Sequence, residues 1–258
     1  MRLTGDQLEQ YRAYGWCTTE PILAPEECDA IVAEFESLRR QTLMLGHSEE
    51  GPLAYQPMLH AASPLLTRYI ADPRLLEIML QLVGPNIRMY WEQLVAKPPK
   101  ARTELPWHQD DGYAPTDPPG YATCWLALDD ADERNGCIWV IPRSHAGGIF
   151  QHRKSGPYFR SGIEAYAGED KPAPAPLPRG GALLFNSLLL HRSGPNHTDR
   201  PRRAWIVQYC DANARHGNTG EALDDRVWVA RDGAFIREPY SERPIDVANV
   251  FANWTPVD

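Results

Sequence analysis

The chain has few cysteines: Cys17, Cys28, Cys124, Cys137 and Cys210 among 258 residues. The count is odd and no two form a C-x-x-C pair, which disfavours both a disulfide framework and a structural zinc site. No stretch approaches the ~20 consecutive apolar residues that span a bilayer. The opening MRLTGDQLEQYRAYG has no apolar h-region, so no signal peptide is expected and a cytoplasmic, soluble protein is. Positive charge is also in deficit, with 26 Lys and Arg against 34 Asp and Glu, a formal net charge of -8. Such a chain repels phosphate backbones, so neither nucleic acid nor a membrane is an expected partner. Internal repeats and low-complexity tracts are missing as well.

Eight Trp and eleven Tyr are present, enough apolar surface to build a packed interior and to exclude bulk disorder. Proline is in excess, at 24 residues, and proline fits edges and loops rather than helix interiors. The composition therefore leans toward a loop-rich β architecture.

Helical patterns come first. Thr4 can cap a helix carrying Leu8, Tyr11 and Tyr14, which Gly15 ends. A short strand is expected over Gly15–Leu23. Pro25 opens a second helix with Cys28, Ile31, Val32, Phe35 and Leu38 on one face. Residues 41–60 have no clean period and are read as a loop or flap. Asp72-Pro73 starts a further helix that stops at Gly84. Strand patterns follow at Asn86–Lys97, Tyr121–Asp129, Cys137–Ile141, Ala182–Phe185, Leu188–Leu190 and Ala204–Tyr209, with a further one at Arg226–Val229. Asn135-Gly136 reads as a hairpin turn. Residues 146–180 form a long insert, lid-like in length, ending in KPAPAPLPRGG, which cannot be a central strand. With no domain boundary in view, 1–258 is expected to be one α+β, mainly β domain, a double-sheet core buttressed by N-terminal helices.

The chemistry sits in Trp107-His108-Gln109-Asp110. Side chains alternate along an extended chain, so His108 and Asp110 share a face and can reach one metal ion. His191, at the end of LLFNSLLLH, supplies a second imidazole. Two His and one carboxylate make the facial triad of non-haem Fe(II) oxygenases, which leaves adjacent coordination positions open. An H-x-D tripeptide arises by chance in many chains, and on the pattern alone a hydrogen-bonded surface histidine beside a turn-capping aspartate is the commoner explanation.

The residues after His191 resemble the distal motif of the phytanoyl-CoA dioxygenase family: His191-Arg192-Ser193-Gly194-Pro195-Asn196, then Arg202-Arg203-Ala204. Val95-Ala96-Lys97-Pro98-Pro99 is similar to the strand end that precedes the family's H-x-D. Trp125-Leu126-Ala127-Leu128-Asp129 and Asn135 to His145 are similar to its Trp strand, acidic turn and N-G-x-I-x-V-I-P-x-S-H run. The opening LTGDQLEQYRAYGW fits too, so the resemblance covers most of residues 4–210.

The resemblance implies a jelly-roll (double-stranded β-helix, cupin-like) fold and an Fe(II)/2-oxoglutarate-dependent dioxygenase. Such an enzyme oxidises a small molecule with O2, by hydroxylation in the default outcome, and releases succinate and CO2. It implies His108, Asp110 and His191 as iron ligands, with Arg202 and Ser193 as 2-oxoglutarate contacts. Gln93 and Trp125 match further co-substrate contacts, although Trp125 fits core packing equally. Arg203 should face away from Arg202, and Gln93 should share a strand face with Trp91, Val95 and Lys97. His145 reads as structural. His47, His60, His152, His197 and His216 have no metal-ligand spacing. Arg192 departs from the small residue usual after the distal His, and either faces the pocket mouth or points outward. The carboxylate at 110 disfavours halogenation.

Gln56, Tyr113, Phe150, Tyr158 and Phe159 are candidate substrate contacts, and each fits loop packing as well. No basic cluster suited to the phosphates of an acyl-CoA is visible. Rival readings are a metal-free ligand-binding jelly roll, a zinc-dependent hydrolase or isomerase with the same three ligands, and a protein hydroxylase. A monomer or homodimer is expected.

Overall fold

Thr4 closes a capping box: its hydroxyl accepts from the Gln7 N–H at 3.2 Å, while Gln7 Oε1 accepts from the Thr4 N–H at 2.9 Å. The box starts α1 (Gly5–Tyr14) in a computed structural model that describes residues 1–42, 54–154, 163–165 and 171–245. Gly15 ends α1 at φ 86°, and a Cβ there would stand 2.6 Å from His145 Nδ1. Backbone conformation and space both demand glycine. Helix α2 (Pro25–Thr42) buries Cys28, Ile31 and Phe35 completely and Val32 and Leu38 nearly so, which is the face its 3.6-residue period predicts. Ser63 caps α3 (Pro64–Ile70) and Asp72 caps α4 (Pro73–Leu82), each with proline in the first turn. Sequence reading missed α3 because seven residues show barely two turns of periodicity.

The strands run in chain order as β1 (Trp16–Thr18), β2 (Ala54–Pro57), β3 (Ile87–Lys97), β4 (Leu105–His108), β5 (Thr116–Asp117) and β6 (Ala122–Ala127). Then come β7 (Ile138–Val140), β8 (His152–Lys154), β9 (Ile163–Ala165), β10 (Ala173–Ala175) and β11 (Ala182–Asn186). Last are β12 (His191–Ser193), β13 (Arg202–Asp211), β14 (Arg215–His216), β15 (Val227–Arg231) and β16 (Ala234–Tyr240). The larger antiparallel sheet has the order β1-β11-β6-β13-β3-β15-β16, with β2 also on β3, and the smaller has the order β10-β7-β12-β4.

Two apolar layers hold this together. One lies between the helices and the outer face of the large sheet, where Trp205 meets Phe35 and Tyr69 edge-on at 6.1 and 6.5 Å. The other lies between the sheets and contains Trp125, Ile138, Val140, Leu183, Phe185 and Leu189. The expected mainly β architecture with buttressing N-terminal helices is therefore present. All five cysteines are buried and free. Among the described residues no helix is long and apolar enough to cross a membrane.

Several local expectations need correction. The strand expected over Gly15–Leu23 is only β1, ending before Pro21. The stretch 41–60 is not wholly loop, because α2 runs through Thr42 and β2 pairs with β3 from Ala54 to Pro57. Asn135-Gly136 does not close a hairpin: β6 and β7 belong to different sheets, and the turn, with the Cys137 N–H on Asp132 O at 2.9 Å, carries the chain from one to the other. Leu188–Leu190 is not a strand. Asn186 Oδ1 accepts from the Leu188 N–H at 2.9 Å and Asn186 O from the Leu189 N–H at 2.8 Å, so the chain turns there. The proline-rich stretch does form β10, but only at the edge of the smaller sheet, where a missing N–H is harmless.

Candidate active site

His191 opens β12 rather than ending the previous strand, and it pairs in register with His108 at the end of β4. Neighbouring strands thus bring together two imidazoles 83 positions apart, with ring centroids 4.1 Å apart. His108 Nδ1 lies 2.7 Å from Pro106 O and His191 Nδ1 lies 2.9 Å from Leu189 O. Carbonyls only accept, so each Nδ1 carries the proton and each Nε2 keeps its lone pair. Both rings are buried. Burial, then the neighbouring His191, push His108 down to about 3, and burial pushes His191 down to about 4. Both are therefore neutral near pH 7, as ligands must be.

Gln109 stays extended (φ -115°, ψ 144°), so Asp110, which opens a single 3₁₀ turn, falls on the same side as His108. The Gln109 amide points the other way and donates to Gly148 O at 2.8 Å and Leu188 O at 2.6 Å, locking the segment from behind. Asp110 Oδ2 accepts from Thr123 Oγ1 at 2.7 Å and from Gln208 Nε2 at 2.8 Å. Asp110 Oδ1 is left 3.9 Å from His108 Nε2 and 3.5 Å from His191 Nε2. Potential ligand atoms of His108, Asp110 and His191 all lie within 4.8 Å of one another. Two imidazole nitrogens and one carboxylate oxygen, each oriented by a second hydrogen bond, fit a facially coordinated divalent ion.

The triad lines a cavity between the sheets, and Arg202 lines it too. Arg202 is 1% exposed, yet its Nε and Nη1 have no hydrogen-bond partner. Its guanidinium lies 5.3 Å from the centre of the Trp125 ring, and burial pushes its pKa down to about 10. A buried, charged and incompletely paired guanidinium is costly unless an anion completes it. Arg203 turns away and clamps Asp129 through Nε at 2.8 Å and Nη2 at 2.7 Å, as strand alternation requires.

Gln93, Trp125, Ser193 and Tyr113 line the same cavity, and so do Trp91 and Val95. Lys97 continues that face, but its ammonium donates to Thr103 O at 3.0 Å, Ser193 O at 3.2 Å and Gly194 O, so its three donors are engaged by backbone. Arg192 points outward, between Trp107 and Trp139 and 3.6 Å from Glu104 Oε2. Phe150 does not line the cavity; it packs against Ile141, Ala165 and Leu190. Gln56 is on β2 opposite Leu94, with its side chain outside the described ones. Tyr158, Phe159 and His47 lie outside the described residues. His145 packs under Gly15, with Nε2 3.3 Å from Arg12 O, a structural position. His152, which sequence reading left unassigned, accepts the Gln109 N–H at Nε2 over 3.0 Å.

Thr123 and Gln208 were also missed. Alternation could have found both, because Thr123 shares a face of β6 with Trp125, and Gln208 shares a face of β13 with Arg202 and Ile206.

A family model described as phytanoyl-CoA dioxygenase matches residues 11–204, about three quarters of the sequence. The chain belongs to that family. Among curated members, the human protein named "Phytanoyl-CoA dioxygenase, peroxisomal" is 30% identical, over 87% of this chain and 75% of its own length. The Bos taurus protein of the same name is 28% identical, over 98% and 81%. Among solved structures, the non-haem monooxygenase ThoJ superposes with a TM-score of 0.75 at 26% identity, covering 96% of this chain and 94% of its own. The non-haem alpha-ketoglutarate-dependent carbocyclase SnoK, from nogalamycin biosynthesis, gives 0.71 at 22% identity, over 86% and 89%, and is a likeness of fold. The fold is the jelly roll of the non-haem 2-oxoglutarate oxygenases.

Proposed function

We propose that the protein is an Fe(II)/2-oxoglutarate-dependent dioxygenase in which residues 1–258 act as one catalytic domain and a small organic metabolite is hydroxylated or otherwise oxidised at an unactivated C–H. The observation that carries this reading is the buried guanidinium of Arg202, with Nε and Nη1 unpaired, in the same cavity as the His108, Asp110 and His191 cluster. A metal-free binding module needs no such triad, and a zinc hydrolase needs no dicarboxylate anchor.

Ferrous iron with 2-oxoglutarate and O2 would supply the oxidising power, the diacid being released as succinate and CO2. His108 and His191 would offer Nε2 and Asp110 its Oδ1, with Thr123 and Gln208 holding the other carboxylate oxygen away from the ion. Arg202 would hold the far carboxylate of the diacid through parallel N–H donors. Ser193 and Gln93 would add neutral contacts, and the Trp125 ring would wall the guanidinium from water.

The test is anaerobic titration with Fe(II) and 2-oxoglutarate, followed by O2 and a metabolite screen for succinate release. The expected result is a visible charge-transfer band that needs both additions, and succinate in step with O2 consumed. Turnover without O2 or 2-oxoglutarate would move the protein to the zinc hydrolase class.

A further inference from the structure

Among the described residues, the cavity's charges are all committed. Its charged or readily protonated lining side chains, among the described residues, are His108, Asp110, His191 and Arg202. On the reading above, the first three hold iron and the fourth holds the diacid. Lys97 lies nearby but spends its donors on Thr103 O, Ser193 O and Gly194 O. Arg226 sits over the Tyr90 ring at 5.4 Å, does not line the cavity, and donates to Asp225 Oδ2 at 2.6 Å.

What remains for a second molecule is apolar and aromatic. Tyr90 and Tyr121 pack with ring centroids 4.8 Å apart, and Tyr113 meets His108 edge-on at 5.4 Å. The polar atoms of this wall are partly used up: Tyr90 donates its hydroxyl to Ala114 O at 3.0 Å, and Trp91 Nε1 donates to Gln93 Oε1 at 2.7 Å. Gln208 is held by Asp110. The lining runs beyond the triad and Arg202 to Tyr90, Tyr113, Ala114 and Tyr121, so a second molecule has a wall of its own beside the diacid. An ionised group placed there would lose its water and meet no uncommitted counter-charge among the described lining residues.

We infer that the substrate of this site is an uncharged, largely apolar molecule seated against Tyr90, Tyr113 and Tyr121, and that carboxylates, phosphates and ammonium groups near its reacting carbon are rejected. The inference rests on the oxygenase reading for its assignment of the four committed charges.

The test uses matched pairs of one skeleton: methyl 2-naphthoate against 2-naphthoate, and 2-naphthalenemethanol against 2-naphthylmethylamine. Binding is measured by calorimetry on the full chain with 2-oxoglutarate, first without metal and then anaerobically with Fe(II). The neutral member of each pair is expected to bind at least ten-fold tighter. Equal affinity, tighter binding of the charged member, or binding of neither overturns the inference. Tyr113 is half-buried in a turn, so Tyr113→Arg adds a cation to the lining without repacking a sheet. It is expected to shift the ester-to-acid preference at least five-fold toward 2-naphthoate, and an unchanged ratio also overturns the inference. The two readings fail separately. Loss of the charge-transfer band sinks the oxygenase reading, while a normal band with no neutral preference sinks only this one.

Discussion

Lys97 and Arg202 stand directly opposite each other across the β3–β13 ladder, and both are buried to within 1% of full enclosure. Two cations at one rung repel, and each has a separate solution. Lys97 turns to three backbone carbonyls, while Arg202, which lines the cavity, keeps Nε and Nη1 unpaired. Burial first, then the Arg202 charge, push Lys97 down to about 7, while Nζ donates to the three backbone carbonyls.

Lys97→Met should therefore destabilise the fold by about 2–4 kcal/mol, since three buried carbonyls lose their donor. Urea denaturation would measure it. An unmoved midpoint would show that the ammonium is not what ties β3 to the Ser193-Gly194 turn.

Arg202→Ala should raise the KM for 2-oxoglutarate about a hundred-fold, from two charge-assisted hydrogen bonds at about 1.5–3 kcal/mol each, shared with water in the variant. The affinity for Fe(II) should stay nearly constant. Arg202→Lys keeps the charge but not the planar fork, and should fall between the two. An unchanged KM would remove Arg202 from the co-substrate site.

Thr123→Val and Gln208→Leu each free one side of Asp110 Oδ2. Each should weaken Fe(II) about 10–100-fold, because the carboxylate loses its fixed orientation. Competition against a chromophoric chelator measures the affinity directly, and retention of full affinity by both variants would refute the role.

Arg74 binds both oxygens of Glu27, at 2.9 and 2.7 Å, and so ties α2 to α4. These hydrogen bonds push Glu27 down to about 2 from an ordinary 4.5. A carboxylate lowered in the folded state adds stability above its unfolded value and loses it as pH falls through the folded one. Glu27→Gln should cost about 1 kcal/mol near neutral pH. That difference should shrink between pH 4.5 and 2, as followed by thermal melts at stepped pH. A difference independent of pH would mean the pair does not titrate with folding.

The sequence alone determined the helices whose buried stripes repeat every three to four residues, because Cys28, Ile31, Phe35 and their neighbours can satisfy only one face. It also carried the long strands and the likeness of His191 to Arg202 to a known motif, since spacing along a strand is a local property. The outward turn of Arg203 followed from alternation in the same way. Tertiary structure decided the rest. Asn135-Gly136 has hairpin residues, yet it joins two sheets, because the partners of β7 are β10 and β12 and not β6. Phe150 has a pocket residue's chemistry and packs elsewhere. The second hydrogen bonds on Asp110 come from strands 13 and 98 positions away, and the meeting of His108 with His191 depends on one rung of register. No local pattern encodes which strand lies beside which, since that choice is made by the burial of both sheets at once.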